Sequence, residues 1–243
     1  MSFPENMKLG ESMRTHLAQM EENNAETLKT IVEQMLKVIQ DDGLIFSAGT
    51  GHSLALVLET FYRAGGLACV YPLYHAALLP FEGGLTSTLF ERTEGLAQLL
   101  VAQADPSPED MAFIFSNSGV NPVPVELGQE LKEAGTTVVG VVSLEHLQQA
   151  PKRADYKLNE VADLVLDTGV PYGDASLQIN GASTAPLSSL CCVYLWNLLL
   201  GRLAKLAQKK GVELPLWRSA NVQNGVAQNE VLMERYRARI PYL

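Results

Sequence analysis

Two short segments of this chain concentrate the residue types that could do chemistry. Ser47-Ala48-Gly49-Thr50-Gly51-His52-Ser53 follows an apolar run at 43–46, and Ser116-Asn117-Ser118-Gly119-Val120-Asn121-Pro122 follows another at 112–115. Each reads as a buried strand, a Ser/Gly turn and a helix start, with Asn121 as N-cap and Pro122 at the first helical position. That order gathers hydroxyls and free backbone N–H groups around one spot, which suits an anion. Neither segment contains lysine or arginine. An anion there would be held by hydroxyls, amides and two helix dipoles rather than by side-chain charge.

The elements that must position these loops follow from the apolar pattern. Residues 1–42 read as an N-terminal helical arm, with Ile31, Met35, Val38 and Ile39 on one stripe and Asp41-Asp42-Gly43 as its stop. Residues 43–210 then alternate strand and helix. Strands are expected at 43–46, 67–71, 112–115, 136–142 and 163–167, with helices at 52–64, 87–101, 122–134, 144–149 and 186–210. Residues 211–243 read as an irregular tail. The alternation predicts an α/β fold, a doubly wound five-stranded parallel sheet of flavodoxin-like order 2-1-3-4-5. In that order strands one and three are neighbours where the chain reverses direction, so the two loops meet in one site at the carboxyl edge.

Composition narrows the partners. A net charge of −9 over 243 residues argues against nucleic acid or an anionic membrane surface, both of which need clustered lysine and arginine. The apolar run at 187–200 is shorter than the roughly 20 residues of a membrane span and contains Asn197. Three cysteines, two of them adjacent, and no apolar leader segment at the N-terminus predict a reducing, cytoplasmic setting. Better-known phosphate motifs are absent. Gly51 is followed by His52 rather than the Lys-Ser/Thr of a P-loop, and no acid ends the second strand as a dinucleotide site requires. Neither Ser53 nor Ser118 sits in a nucleophile elbow. No metal and no cofactor is expected.

The two loops resemble those of the SIS (sugar isomerase) domain family, which includes phosphoheptose isomerase, N-acetylmuramic acid 6-phosphate etherase and the isomerase half of glucosamine-6-phosphate synthase. A closer likeness runs through Phe61-Tyr62-Arg63-Ala64-Gly65-Gly66, Ser143-Leu144-Glu145-His146, Gly173-Asp174-Ala175 and Ser219-Ala220-Asn221-Val222 to the UPF0309-type proteins. The resemblance implies that Ser53, Ser116, Asn117, Ser118 and Asn121 hold a phosphate, with Ser47 and Gly51 of the first loop beside them. It also implies a homodimer or homotetramer in which the arm or the tail reaches a neighbouring site.

Sugar isomerisation needs a base that removes a proton next to a carbonyl. Glu59 is the first candidate: it is the acid on an otherwise apolar helix, two turns from His52, where apolar neighbours would strengthen it as a base. The competing reading is an i,i+4 ion pair with Arg63. His75 and Glu82 follow strand two near the carboxyl edge, and His52 could donate to the sugar or cap its helix. Glu91 is explained equally well by a Thr88-x-x-Glu91 capping box, Glu94 by a solvated face, and His146 by a structural role. The expectation is therefore a phosphosugar-binding protein acting as an aldose–ketose isomerase on a hexose or amino-sugar 6-phosphate, with Glu59, His52 and His75 as proton-moving residues. A phosphosugar lyase or deaminase, or a non-catalytic sensor, is the alternative.

Overall fold

The computed structural model describes residues 6–243. Helices α1 (Asn6–Asn23) and α2 (Ala25–Gln40) precede five strands: β1 (Ile45–Gly49), β2 (Val70–Leu73), β3 (Met111–Phe115), β4 (Thr137–Val142) and β5 (Leu164–Asp167). All pairings among them are parallel, in the order β2-β1-β3-β4-β5. This is the doubly wound order that the alternation predicts. Every residue of β1, β2 and β3 is buried, which is why these strands read as unbroken apolar runs. The connections carry α3 (Leu54–Thr60), α4 (Gly84–Phe90), α5 (Leu96–Ala104), α6 (Pro122–Glu133), α7 (Leu144–Gln149) and α8 (Leu158–Val161). A hairpin of β6 (Leu177–Ile179) and β7 (Ala182–Thr184), the long α9 (Ser188–Lys210) and α10 (Gly225–Tyr236) complete the chain.

Helix α2 belongs to the packed core. Its Leu28, Ile31 and Met35 are fully buried at helical spacing, against α9 and strands β3 and β5. Helix α9 answers with Cys191, Leu195, Leu199 and Leu203, one per turn. Each such leucine stabilises the fold by roughly 1.5–3 kcal/mol. By length and composition α9 could cross a membrane, yet here one stripe of it is buried against α2. The three cysteines are free and buried, and burial pushes the Cys69 and Cys191 thiols up to about 12.

The α1–α2 junction closes the outer edge of the sheet. Asn24, 3% exposed, accepts the Asp167 N–H at 2.9 Å and donates to the Asp167 carbonyl at 2.8 Å, so one carboxamide stands in for a sixth strand. Replacing Asn24 with Ala leaves both Asp167 backbone groups without their partner in a part-buried place. The expected cost is about 2–3 kcal/mol, read as a lower urea midpoint at unchanged slope.

Several segments differ from the sequence expectation: β2 lies at Val70–Leu73 rather than 67–71, and α3 ends at Thr60 rather than 64. Strand β1 runs on through Ser47, Ala48 and Gly49, because pairing with both β2 and β3 continues there. The helix expected at 87–101 is broken: α4 ends at Phe90, and α5 restarts after Gly95, whose φ of 80° is open to glycine and whose N–H is held by Glu126. The tail is ordered by its own chain. Residues 215–217 run back along 65–68, with Ala68 N–H on the Pro215 carbonyl at 2.7 Å and Trp217 N–H on Gly66 at 2.9 Å, and α10 follows.

Candidate functional site

Where β1 and β3 end side by side, Gly49 opposite Phe115, the chain turns twice through left-handed glycines, Gly51 (φ 55°) and Gly119 (φ 56°). The two loops they make line one cleft of about 370 Å³ with Thr50, Gly51, His52, Ser53, Ser116, Asn117, Ser118 and Asn121. Ser116 Oγ accepts the Gly119 N–H at 3.2 Å, which closes the second loop. The Asn117 side chain accepts from Thr168 at 2.9 Å. Among the described residues the Ser118 and Val120 amides find no acceptor in the protein. They lie immediately before the N-terminus of the 12-residue α6, whose dipole adds positive potential at the same place. Asn121 precedes Pro122 as expected, but its side chain does not cap the helix; its Oδ1 accepts instead from Arg153 at 2.8 Å. The arginine that the loop sequences lack thus stands behind Asn121, supplied by the α7–α8 connection.

Seven of the ten residues singled out from sequence line this cleft: Gly51, His52, Ser53, Ser116, Asn117, Ser118 and Asn121. Three do not. Ser47 is only 1% exposed, inside β1, and its hydroxyl accepts from Thr60 at 2.7 Å beneath the sheet edge. Its removal from the loop follows from the two-sided pairing of β1. Glu59, on α3, forms the i,i+4 ion pair with Arg63 just past the helix end and is not among the lining residues. His75 is exposed, with its ring stacked on Phe90 and its Nδ1 accepting from the Ala77 N–H at 3.2 Å. Glu82 and Glu94 are exposed as well.

The cleft has other chemistry in their place. Glu91 sits just past the end of α4, and the Thr50 hydroxyl donates to its Oε2 at 3.0 Å. Thr88, inside α4, donates to the Gly84 carbonyl, so the pair forms no capping box. On the opposite wall His146, in the first turn of α7, packs its ring 4.9 Å from that of Tyr172. Burial holds the His146 pKa below the ordinary imidazole value, against the opposing pull of the Asp174 carboxylate. Asp174 caps α9, accepting the Leu187 and Ser188 N–H groups at 3.0 and 2.9 Å and the Ser188 hydroxyl at 2.6 Å. Among the described residues the ionisable lining is thus Glu91, Asp174, His52 and His146, without lysine or arginine. Sequence signals for the last wall existed in Ser143-Leu144-Glu145-His146 and Gly173-Asp174-Ala175. Both follow strands whose carboxyl ends face the same edge as β1 and β3.

A second cavity of about 550 Å³ adjoins the first through Gly51, His52 and Pro80 and is lined by Leu54, Leu58, Phe61, Tyr74, Phe81 and Tyr242. Its wall is almost wholly apolar.

Sheet order and paired Ser/Gly loops together define a sugar isomerase type of α/β domain, and the SIS domain model matches residues 10–143. Among solved structures, the fold is similar to phosphoheptose isomerase GmhA from Neisseria gonorrhoeae. That likeness has a TM-score of 0.58 at 15% identity and covers 84% of this chain and 100% of the other. It is also similar to the sugar isomerase domain of an RpiR transcription factor from Sphaerobacter thermophilus, TM-score 0.52 at 16% identity, covering 94% and 98%. Over most of its length the chain is similar to a UPF0309 protein of Geobacillus kaustophilus, 34% identical over 237 residues and covering 96% of this chain and 94% of the relative. A Listeria monocytogenes UPF0309 protein is 32% identical over 226 residues, covering 91% and 92%. The chain belongs to the SIS domain family, and within it to the UPF0309 proteins.

Proposed function

We propose that this protein binds a sugar phosphate, a hexose or amino-sugar 6-phosphate, and interconverts its aldose and ketose forms through an enediol. The observation that carries this reading is Glu91, a carboxylate held by Thr50 in the same cleft as a Ser/Asn loop built for an anion. The phosphate rests on Ser53, Ser116 and Ser118, the free amides and the α6 N-terminus. Glu91 takes the proton from the carbon beside the carbonyl and returns it to the neighbouring carbon, while the other cleft donors stabilise the oxygen that gains charge. Glu59, His75 and Ser47 have no part in this scheme. The assembly is a homodimer or homotetramer, and exposed Leu58 and Phe81 of the apolar cavity, with exposed Leu85 and Leu89 on α4, supply the contact. The setting is the cytoplasm.

The test is a panel of hexose and amino-sugar 6-phosphates beside their unphosphorylated sugars, followed by thermal shift and by exchange of the C2 proton in D2O. A ligand at a hundred times its Kd adds about 2.7 kcal/mol of stability. Ser118→Ala removes a hydrogen bond to a charged group, with an expected loss of about 2 kcal/mol, or some thirtyfold in Kd. Stabilisation that ignores phosphorylation, or that survives Ser118→Ala, would overturn the placement of the phosphate. Binding without exchange by any compound would leave a sensor in place of the isomerase.

A further inference from the structure

His146 offers two different nitrogens. Nδ1 is sealed from water and has no hydrogen-bond partner, while the residue as a whole lines the cleft, so Nε2 is the nitrogen left for a ligand. A proton on Nδ1 would be a buried donor without an acceptor, the costlier kind of orphan. The same proton on Nε2 reaches the cleft. The imidazole therefore settles as the Nε2–H tautomer, a neutral donor aimed at whatever occupies the cleft.

The occupant's charge distribution decides which part of it this donor meets. Asp174 lies close enough to His146 to act on it electrostatically, and its carboxylate is tied to the α9 N-terminus. A dianionic phosphate is disfavoured beside that carboxylate and favoured at the uncharged donors of the Ser116 to Asn121 loop. From the sealed Nδ1 and the charge on Asp174 we infer that His146 is a further catalytic residue: its Nε2–H donates to the carbonyl or hydroxyl oxygen at the reacting end of the sugar. The inference rests on the isomerase reading. As the enediol forms, the oxygen gains charge and this hydrogen bond strengthens, with the imidazole keeping its proton throughout. The arrangement also assigns roles to two segments that the phosphate loops leave unused, Ser143-Leu144-Glu145-His146 and Gly173-Asp174-Ala175. The first places the donor, and the second sets the charge that keeps phosphate away from it.

Two measurements test it. In protein labelled with nitrogen-15 histidine, long-range correlation spectra at pH 7 should show His146, assigned by its absence in His146→Gln, neutral and protonated on Nε2. An Nδ1–H tautomer or a cation would overturn the inference with no ligand needed. Titration with inorganic phosphate should leave the His146 Nε2 signal in place; movement in step with saturation would make it a phosphate ligand instead. The second measurement compares turnover. Glutamine places an amide N–H near the position of Nε2, so His146→Gln should keep within about tenfold of wild-type C2 exchange while His146→Phe loses a hundredfold or more, with inorganic phosphate affinity unchanged in both. Equal rates in His146→Phe and wild type would sink the proposal. Absence of exchange in wild type with every panel compound would sink the isomerase reading itself, and the inference resting on it, even where the Nε2–H tautomer is observed.

Discussion

Glu91→Gln should lower C2-proton exchange and isomerisation by a factor of about 10² to 10⁴, the usual contribution of a positioned general base, while changing sugar-phosphate affinity by less than threefold. The substitution is nearly isosteric, and the amide carbonyl can still accept from Thr50 Oγ1, which sits 3.0 Å from the carboxylate. The loop and the fold should therefore survive, and the thermal midpoint without ligand should stay near the wild-type value. What disappears is the ability to take a proton. A matched substitution separates Glu91 from the candidate the sequence favoured. Glu59→Gln removes one partner of a surface-side ion pair with Arg63, a pair worth under about 1 kcal/mol, and should leave exchange within twofold of wild type. If Glu59→Gln abolishes exchange and Glu91→Gln does not, the assignment is reversed and α3 must move on binding.

Gly49→Ala should damage both the fold and the first phosphate loop, although Gly49 is not among the residues lining the cleft. A Cβ there would lie 2.8 Å from the Ser53 carbonyl oxygen and 3.0 Å from the Ser53 carbonyl carbon and Cβ. Backbone, rather than a flexible side-chain end, stands in the way, so the turn at Gly51 and the start of α3 must shift. Over-packing of this kind costs about 1–3 kcal/mol. The same shift carries Ser53 and Thr50 away from their places, so phosphate affinity should fall at least tenfold and Glu91 should lose its hydroxyl partner. Isothermal titration with inorganic phosphate, alongside urea denaturation, measures both. Loss of stability with unchanged affinity would show that the first loop is not part of the anion site.

The two Ser/Gly loops and the sheet order were legible because both depend on local signals: apolar runs of strand length, small residues after them, and Asn-Pro at a helix start. Sheet order then followed from chain reversal. Ser47 was misplaced for a reason the local pattern does not hold, since the end of β1 is set by how far β2 and β3 continue beside it. Glu59 looked buried and catalytic because helical spacing alone cannot say which face meets the cleft. Its pairing with Arg63 was visible as an alternative at i,i+4 spacing. Glu91 was weighed but explained equally well as part of a capping box, because the segment reads as one continuous helix; in the structure that helix ends at Phe90 and the carboxylate accepts from Thr50. His146 and Asp174 carry little signal individually. Their nearness to the loops is a tertiary fact, made by β4 and β5 ending at the same edge of the sheet as β1 and β3.

The lack of lysine and arginine along the cleft has a kinetic side. The protein carries a net charge of −9, and Glu91 and Asp174 are the carboxylates that face the opening. A doubly charged solute drifting toward this protein is repelled at long range by the net charge and attracted within the last few ångströms, by oriented dipoles and by Arg153 behind Asn121. Dissolved salt screens the first effect over a length of about 10 Å at 0.1 M and hardly touches the second. Encounter should therefore quicken as ionic strength rises, opposite to a site steered by arginines, and stopped-flow association rates across a potassium chloride series would show it. Such a site selects by the fit of its hydrogen bonds after arrival rather than by drawing in whatever anion is nearest.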